Sequence, residues 1–154
     1  MENFDINIIG AGISGLTAAV YAARYNLKTL VISLEAGGTT ATAHKICNFP
    51  SYYEISGFEL MKKVLDQVEK LGVPINYEEV LEISKNQNQF EIKTNKSNYF
   101  SKKVLYAPGN IRTKLNIPGE KEFLGRGVCC RGLVVAAGDT DCCPSGWVVG
   151  SGWH

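Results

Sequence analysis

No stretch of the 154-residue sequence approaches the ~20 consecutive apolar residues that a membrane-spanning helix needs. Charge of one sign is lacking too. Sixteen Lys and Arg stand against fifteen Asp and Glu, for a formal net charge of +1, so nothing electrostatic calls for nucleic acid or an anionic membrane as partner. The start, Met1-Glu2-Asn3-Phe4-Asp5, is acidic and runs straight into a strand-like segment, unlike a secretory leader with its basic start and longer apolar stretch. These absences predict a cytoplasmic protein with no membrane or nucleic-acid partner. The length suits one domain with enough apolar content for a core.

Cysteines are few and oddly placed: Cys47, then the adjacent pairs Cys129-Cys130 and Cys142-Cys143. An odd count in a cytosolic-looking chain argues against a disulfide framework, and neither pair has C-x-x-C spacing. Cys47 reads as a buried small hydrophobe. His44 has no visible metal partner and reads as a loop residue, so no metal site is expected. Composition changes near Val128. Beyond it Lys, Asn and Ile are absent, and both tryptophans appear, Trp147 and Trp153. Residues 1–128 therefore read as one unit and 129–154 as an atypical Gly- and Cys-rich tail. No internal repeat is present.

What is there begins with a βαβ pattern. Asp5 to Ile9 is a short strand. Ile13 to Tyr25 has Leu16, Ala19, Val20 and Ala23 at helical spacing, and Asn26 ends it. Thr29 to Leu34 is a β-branched strand. Residues 36–55 read as loop and short turns. Ser56 and Glu59 have capping-box spacing ahead of a second helix, with Phe58, Met61, Val64, Leu65, Val68 and Leu71 as its apolar face and Gly72 as its stop. Val73 to Tyr77 is strand-like. Val80 to Ser84, Phe90 to Thr94 and a short run around Tyr99 read as an antiparallel meander, with Lys103 to Tyr106 as a separate last strand.

The sharpest motif is Gly10-Ala11-Gly12-Ile13-Ser14-Gly15, between the first strand and the first helix. That is the context in which G-x-G-x-x-G binds a dinucleotide. Gly10 permits the tight turn, Gly12 leaves room for a pyrophosphate at the backbone, and Gly15 lets helix and strand pack closely. The helix N-terminus offers unpaired N–H groups to the phosphates. Glu35 lies about twenty residues beyond Gly15, at the end of the second strand, where a carboxylate can bind both ribose hydroxyls and repel a 2′-phosphate. The plain alternative is a glycine-rich turn without a ligand. The motif by itself does not separate FAD from NAD.

The run Ile8-Ile-Gly-Ala-Gly-Ile-Ser-Gly-Leu-Thr-Ala-Ala-Val-Tyr-Ala-Ala-Arg24 resembles the opening of thioredoxin reductases. So do Glu35-Ala-Gly-Gly38, Asn48-Phe-Pro50, the helix from Gly57, Leu115-Asn-Ile-Pro-Gly-Glu120 and Phe123-Leu-Gly-Arg-Gly-Val128, in order over residues 4–128. The resemblance implies an α/β fold: a Rossmann-like FAD-binding domain whose parallel sheet has flanking helices and an antiparallel three-stranded meander. It implies a truncated form of an FAD-containing homodimer, in which NADPH reduces the flavin, the flavin reduces a C-x-x-C disulfide, and the dithiol reduces thioredoxin. By position it implies that Gly10, Gly12, Ser14 and Gly15 cradle the FAD pyrophosphate and Glu35 holds the adenosine ribose. Gly37 and Gly38 would lie under the flavin-side phosphate and ribityl chain, and Asn48 would hydrogen-bond the flavin ring. Val80 would contact adenine, and Ala107 with Gly109 would form the return turn beside the cofactor. Without the resemblance, Asn48 reads as a turn residue, Val80 as a core residue and Arg126 as a surface charge between two glycines.

The sequence departs from the family where the chemistry would sit. Cys129-Cys130-Arg131-Gly132 stands where a C-x-x-C belongs, so no catalytic residue is assigned. Thr39 replaces the usual Gln near the flavin, and Pro108 replaces the Thr of the A-T-G turn, removing an N–H donor. In the tail, Val135-Ala-Ala-Gly-Asp139 resembles the second FAD segment, while Leu133-Val-Val-Ala-Ala-Gly-Asp-Thr140 resembles the start of an NADPH domain. Either way a full NADPH domain is missing, and FAD is expected to bind the isolated chain weakly or not at all. Three readings stay open: a disulfide reductase by lineage, a non-catalytic FAD-binding module, and a related flavoenzyme of the dithiol oxidase or ferredoxin–NADP reductase type.

Overall fold

The computed structural model describes residues 3–86 and 89–110, with 118, 119 and 122. The tail 129–154, the whole Phe123–Val128 motif with Arg126, and all of the Leu115–Glu120 motif except Pro118 and Gly119 lie outside the described residues.

Strand β1 (Asn3–Ala11) feeds helix α1 (Ile13–Arg24), and β2 (Thr29–Ala36) follows. The small alanines of α1 let it lie close to the sheet: Leu16, Ala19 and Ala22 are buried. The helix ends as the sequence predicts. Asn26 takes a left-handed conformation (φ 57°), its N–H reaches Ala23 O at 2.9 Å, and the Leu27 N–H reaches Ala22 O at 3.1 Å. This is a Schellman closure, which satisfies carbonyls that the helix would otherwise leave unpaired.

The stretch read as loop contains a four-residue helix α2 (Gly38–Ala41) and a single bridge between Ile46 and Ile55. Helix α3 (Gly57–Lys70) starts at Ser56, whose hydroxyl accepts from the Glu59 N–H at 3.2 Å and donates to the Glu59 carboxylate at 3.0 Å. Its inward face differs from the expected one. Leu60, Met61 and Val68 are buried, whereas Phe58 is 69% exposed. The helix phase is set by Gly57, which packs so tightly on the carbonyl oxygen of Thr40 that no side chain fits there. That contact turns Phe58 toward solvent. Cys47 is exposed, against the expectation of burial, because it lies on the open loop before α3.

Strands β3 (Ile75–Tyr77), β4 (Val80–Asn86), β5 (Gln89–Thr94) and β6 (Asn98–Tyr106) complete one six-stranded sheet in the order β3-β2-β1-β6-β5-β4. The expected meander and the expected last strand are not separate, because β6 runs through both. It pairs antiparallel with β5 from Asn98 to Ser101 and parallel with β1 from Phe100 to Tyr106. Ser101 is the pivot: it pairs with Phe90 on one side and Phe4 on the other, and is buried.

β3 and β4 lie at opposite edges of this sheet, yet only Glu78 and Glu79 connect them. The sheet must therefore curl over itself. Two cores result. On one face Ile8, Val31, Leu16, Ala19, Met61 and Val68 pack helices α1 and α3 on the parallel strands. On the other, Ile92 of the meander packs on Ile9, Leu30, Ile32 and Phe4. Each fully buried large side chain stabilises this stack by about 1.5–3 kcal/mol. The curl is held by a polar clamp. The Tyr99 hydroxyl donates to the Glu78 carboxylate at 2.9 Å and accepts from the Asn76 amide at 2.8 Å, and the Thr94 hydroxyl donates to the other Glu78 oxygen at 2.5 Å. Among the described residues, no helix is long and apolar enough to cross a membrane.

Candidate dinucleotide-binding site

Three connections meet at the carboxyl ends of the parallel strands, where β1 lies between β2 and β6. The central one is the glycine turn. Gly10 has φ +106° and breaks the β1–β2 register between Ile9 and Ala11. On one side, the Gly37 N–H donates to Ala11 O at 2.8 Å; on the other, the Ala107 N–H donates to Ile9 O at 2.8 Å. The loops after β2 and β6 are thus tied to the two flanks of the same turn.

The glycines of the motif do different work. A Cβ on Gly10 would strike the carbonyl oxygen of Ala107, and one on Gly15 would strike that of Gly10. Both positions are demanded by the fold itself. Gly12 is not: its backbone is extended (φ −82°, ψ −178°), and a Cβ there would meet no atom within 4 Å. It caps α1 without any side-chain hydrogen bond, and the first turn carries no acidic residue. The first N–H groups of α1 have no partner within the helix, and the open space beside Gly12 lies at that same end of it. Such a place favours an anion.

That space opens into a cleft of about 900 Å³. Of the residues anticipated from sequence, Gly10, Gly12, Ser14, Glu35, Gly38, Val80, Ala107 and Gly109 line it together. Gly15 lies beneath the turn, buried against Gly10. Gly37 is buried under the α2 loop, packed near Ala41 and Met61. Asn48 is exposed on the loop before α3 and does not line the cleft. Thr39 and Pro108, where the sequence departs from its family, both do. The sequence reading did not anticipate Glu78, Glu79, Leu81, Glu82 and Tyr106 as lining residues. No local motif marks them; the curl of the sheet brings the four β3–β4 residues there, and Tyr106 arrives by pairing with Ile9 next to the turn. Glu35 is exposed at the end of β2, and the neighbouring Ser33 hydroxyl bonds its backbone carbonyl at 2.7 Å, leaving the carboxylate for the cleft. Among the described residues, no group of His, Cys, Asp or Glu is placed to hold a metal ion.

A parallel sheet with helices on one face and a meander on the other, and with a glycine turn at its switch point, is a Rossmann-like domain of the FAD-binding type. The chain belongs to the pyridine nucleotide-disulphide oxidoreductase family, whose pattern matches residues 4–153. It is 41% identical over 154 aligned positions to the thioredoxin reductase of Treponema pallidum, a match covering 91% of this chain and 50% of that protein. The crystal structure of Lactococcus lactis thioredoxin reductase matches with 38% identity and a TM-score of 0.74, over 80% of this chain and 41% of that one. A ferredoxin-flavin thioredoxin reductase from Clostridium acetobutylicum matches with 35% identity and a TM-score of 0.68, over 84% of this chain and 45% of that one. The chain spans about half the length, or less, of these relatives, and the similarity is to their N-terminal part.

Proposed function

We propose that the cleft binds FAD and that the chain is the FAD-binding part of a disulfide reductase of the thioredoxin reductase lineage. The observation that carries this is Gly12. The fold leaves it free to bear a side chain, yet it stands bare before the amide groups of α1. A pyrophosphate fits that gap and accepts from those N–H groups. In this reading Gly10, Gly12, Ser14 and Gly15 form the phosphate cradle, with Gly15 acting through packing. Glu35 holds the adenosine ribose, Val80 lies against adenine, and Ala107 and Gly109 close the turn beside the cofactor. Gly37 and Gly38 support the flavin-side phosphate, and Asn48 meets the flavin ring from its exposed loop. FAD would supply the electron-transfer chemistry, while these residues bind and orient it.

The activity of the whole protein rests on the relatives. It would take electrons from NADPH and pass them to a disulfide partner such as thioredoxin, as a cytoplasmic homodimer. The missing C-x-x-C favours a second reading for this chain: an FAD-binding module without turnover of its own. It also favours the third, a related flavoenzyme of the dithiol oxidase or ferredoxin–NADP reductase type, which needs no C-x-x-C. We place the first FAD segment at residues 1–128 and read 129–154 as an atypical tail, a remnant of either the second FAD segment or the NADPH domain.

The test is titration of the full chain with FAD, followed by flavin fluorescence. At FAD concentrations high enough to offset the missing NADPH domain, weak, saturable binding that Gly12→Val abolishes is the expected result. Equal binding by the variant would remove the site from the cradle.

A further inference from the structure

We infer that Tyr106 is the stacking platform for the adenine ring of the bound dinucleotide, an inference that rests on the dinucleotide reading of the cleft. Tyr106 is the last residue of β6 and pairs in register with Ile9, which pairs in turn with Ile32. Neighbours in register point to the same face of a sheet. Tyr106 therefore leaves the sheet on the meander side, as Ile9 and Ile32 do. Those two are covered by the meander and are 6% and 0% exposed, whereas Tyr106 is 68% exposed. Its ring stands just past the edge of that cover, in the wall of the cleft.

The surroundings are apolar. Leu81 and Ile83 of β4 line the same cleft, at 58% and 38% exposure, and Leu34 does so at 67%. An exposed aromatic ring and three exposed aliphatic side chains around one concavity mark an apolar subsite within it. A flat, weakly polar group is the occupant that suits them. Position selects which one. Glu35 ends β2 and Tyr106 ends β6, and the two strands flank β1. Their ends stand about 10 Å apart, within the reach of one nucleoside. The base carried by a ribose held at Glu35 is thus the group brought to Tyr106. The flavin, two phosphates further along, is not.

Binding of ADP and of inorganic pyrophosphate to the full 154-residue chain tests this, by calorimetry on the parent, Tyr106→Ala and Tyr106→Phe. Tyr106→Ala should weaken ADP roughly 5- to 150-fold, the range for loss of an aromatic face under a base. Tyr106→Phe should bind ADP like the parent, and all three proteins should bind pyrophosphate equally. ADP affinity unchanged in Tyr106→Ala would overturn the inference and leave the dinucleotide site standing. So would an equal loss of ADP and pyrophosphate, which would mark general damage to the cleft. Failure of the parent to bind either ligand would overturn the dinucleotide reading itself.

Discussion

Gly10 and Ala107 are in such close contact that a side chain on Gly10 would run into the Ala107 carbonyl oxygen, while Gly12, two residues further on, faces open space. The same motif thus contains one glycine required by folding and one that folding does not require. Gly10→Ala also forces a non-glycine residue to φ +106°, and should destabilise the chain by about 2–4 kcal/mol. Gly12→Ala should cost at most about 1 kcal/mol. Urea unfolding of both variants checks the contrast; equal losses would contradict it.

Glu35→Ala should weaken ADP or FAD binding by about 1–3 kcal/mol, through lost charge-assisted hydrogen bonds to the ribose. The parent should bind ADP more tightly than an analogue carrying a 2′-phosphate, and Glu35→Ala should narrow that preference. An unchanged preference, read by competition titration, would remove Glu35 from the ribose.

The clamp at Tyr99 predicts a pH dependence. Burial first, and then the hydrogen bond to Glu78, raise the Tyr99 pKa above its ordinary value of 10.0. The folded chain therefore keeps a proton that the unfolded chain gives up as pH climbs past 10.0. The contribution is fully present below that value and is lost as pH rises through the folded pKa. Tyr99→Phe should cost about 1–3 kcal/mol at neutral pH, because Glu78 and Asn76 lose a partner. The gap between parent and variant should shrink above pH 10.0, as followed by urea unfolding. A gap that stays constant into that range would contradict the assignment.

Asn7 is 0% exposed in the middle of β1, on the face that the meander covers, and among the described residues neither of its amide atoms has a hydrogen-bond partner. An unpaired buried amide is costly. Asn7→Leu, similar in size and apolar, should leave the chain equally stable or up to about 2 kcal/mol more stable. Thermal unfolding decides it, and a clear loss of stability would show that the amide has a partner.

Much of this was readable from residues alone. The βαβ unit was, because helical spacing in α1, the β-branched run of β2 and the glycine motif agree with one another at short range. The start of α3 was, because its cap is a contact between Ser56 and Glu59. What escaped depended on distant contacts. Phe58 sits at helical spacing with Met61 and Leu65, but the packing of Gly57 on Thr40 sets the phase and turns it outward. The short run around Tyr99 and the strand from Lys103 to Tyr106 read as two strands, yet between them, at Ser101, β6 changes partners without stopping. The lining residues Glu79 and Leu81 became neighbours of the glycine turn through the curl of the sheet, and Tyr106 through the long-range pairing of β6 with β1.

The central claim, that the bare turn before α1 receives a diphosphate, is tested most directly by following backbone amide resonances of the full chain during an ADP titration. The account predicts that the amides of Gly12, Ile13, Ser14 and Gly15 shift most and saturate together, with Glu35 moving alongside and Lys70 at the far end of α3 unmoved. Shifts centred elsewhere, or none at these four amides, would contradict it.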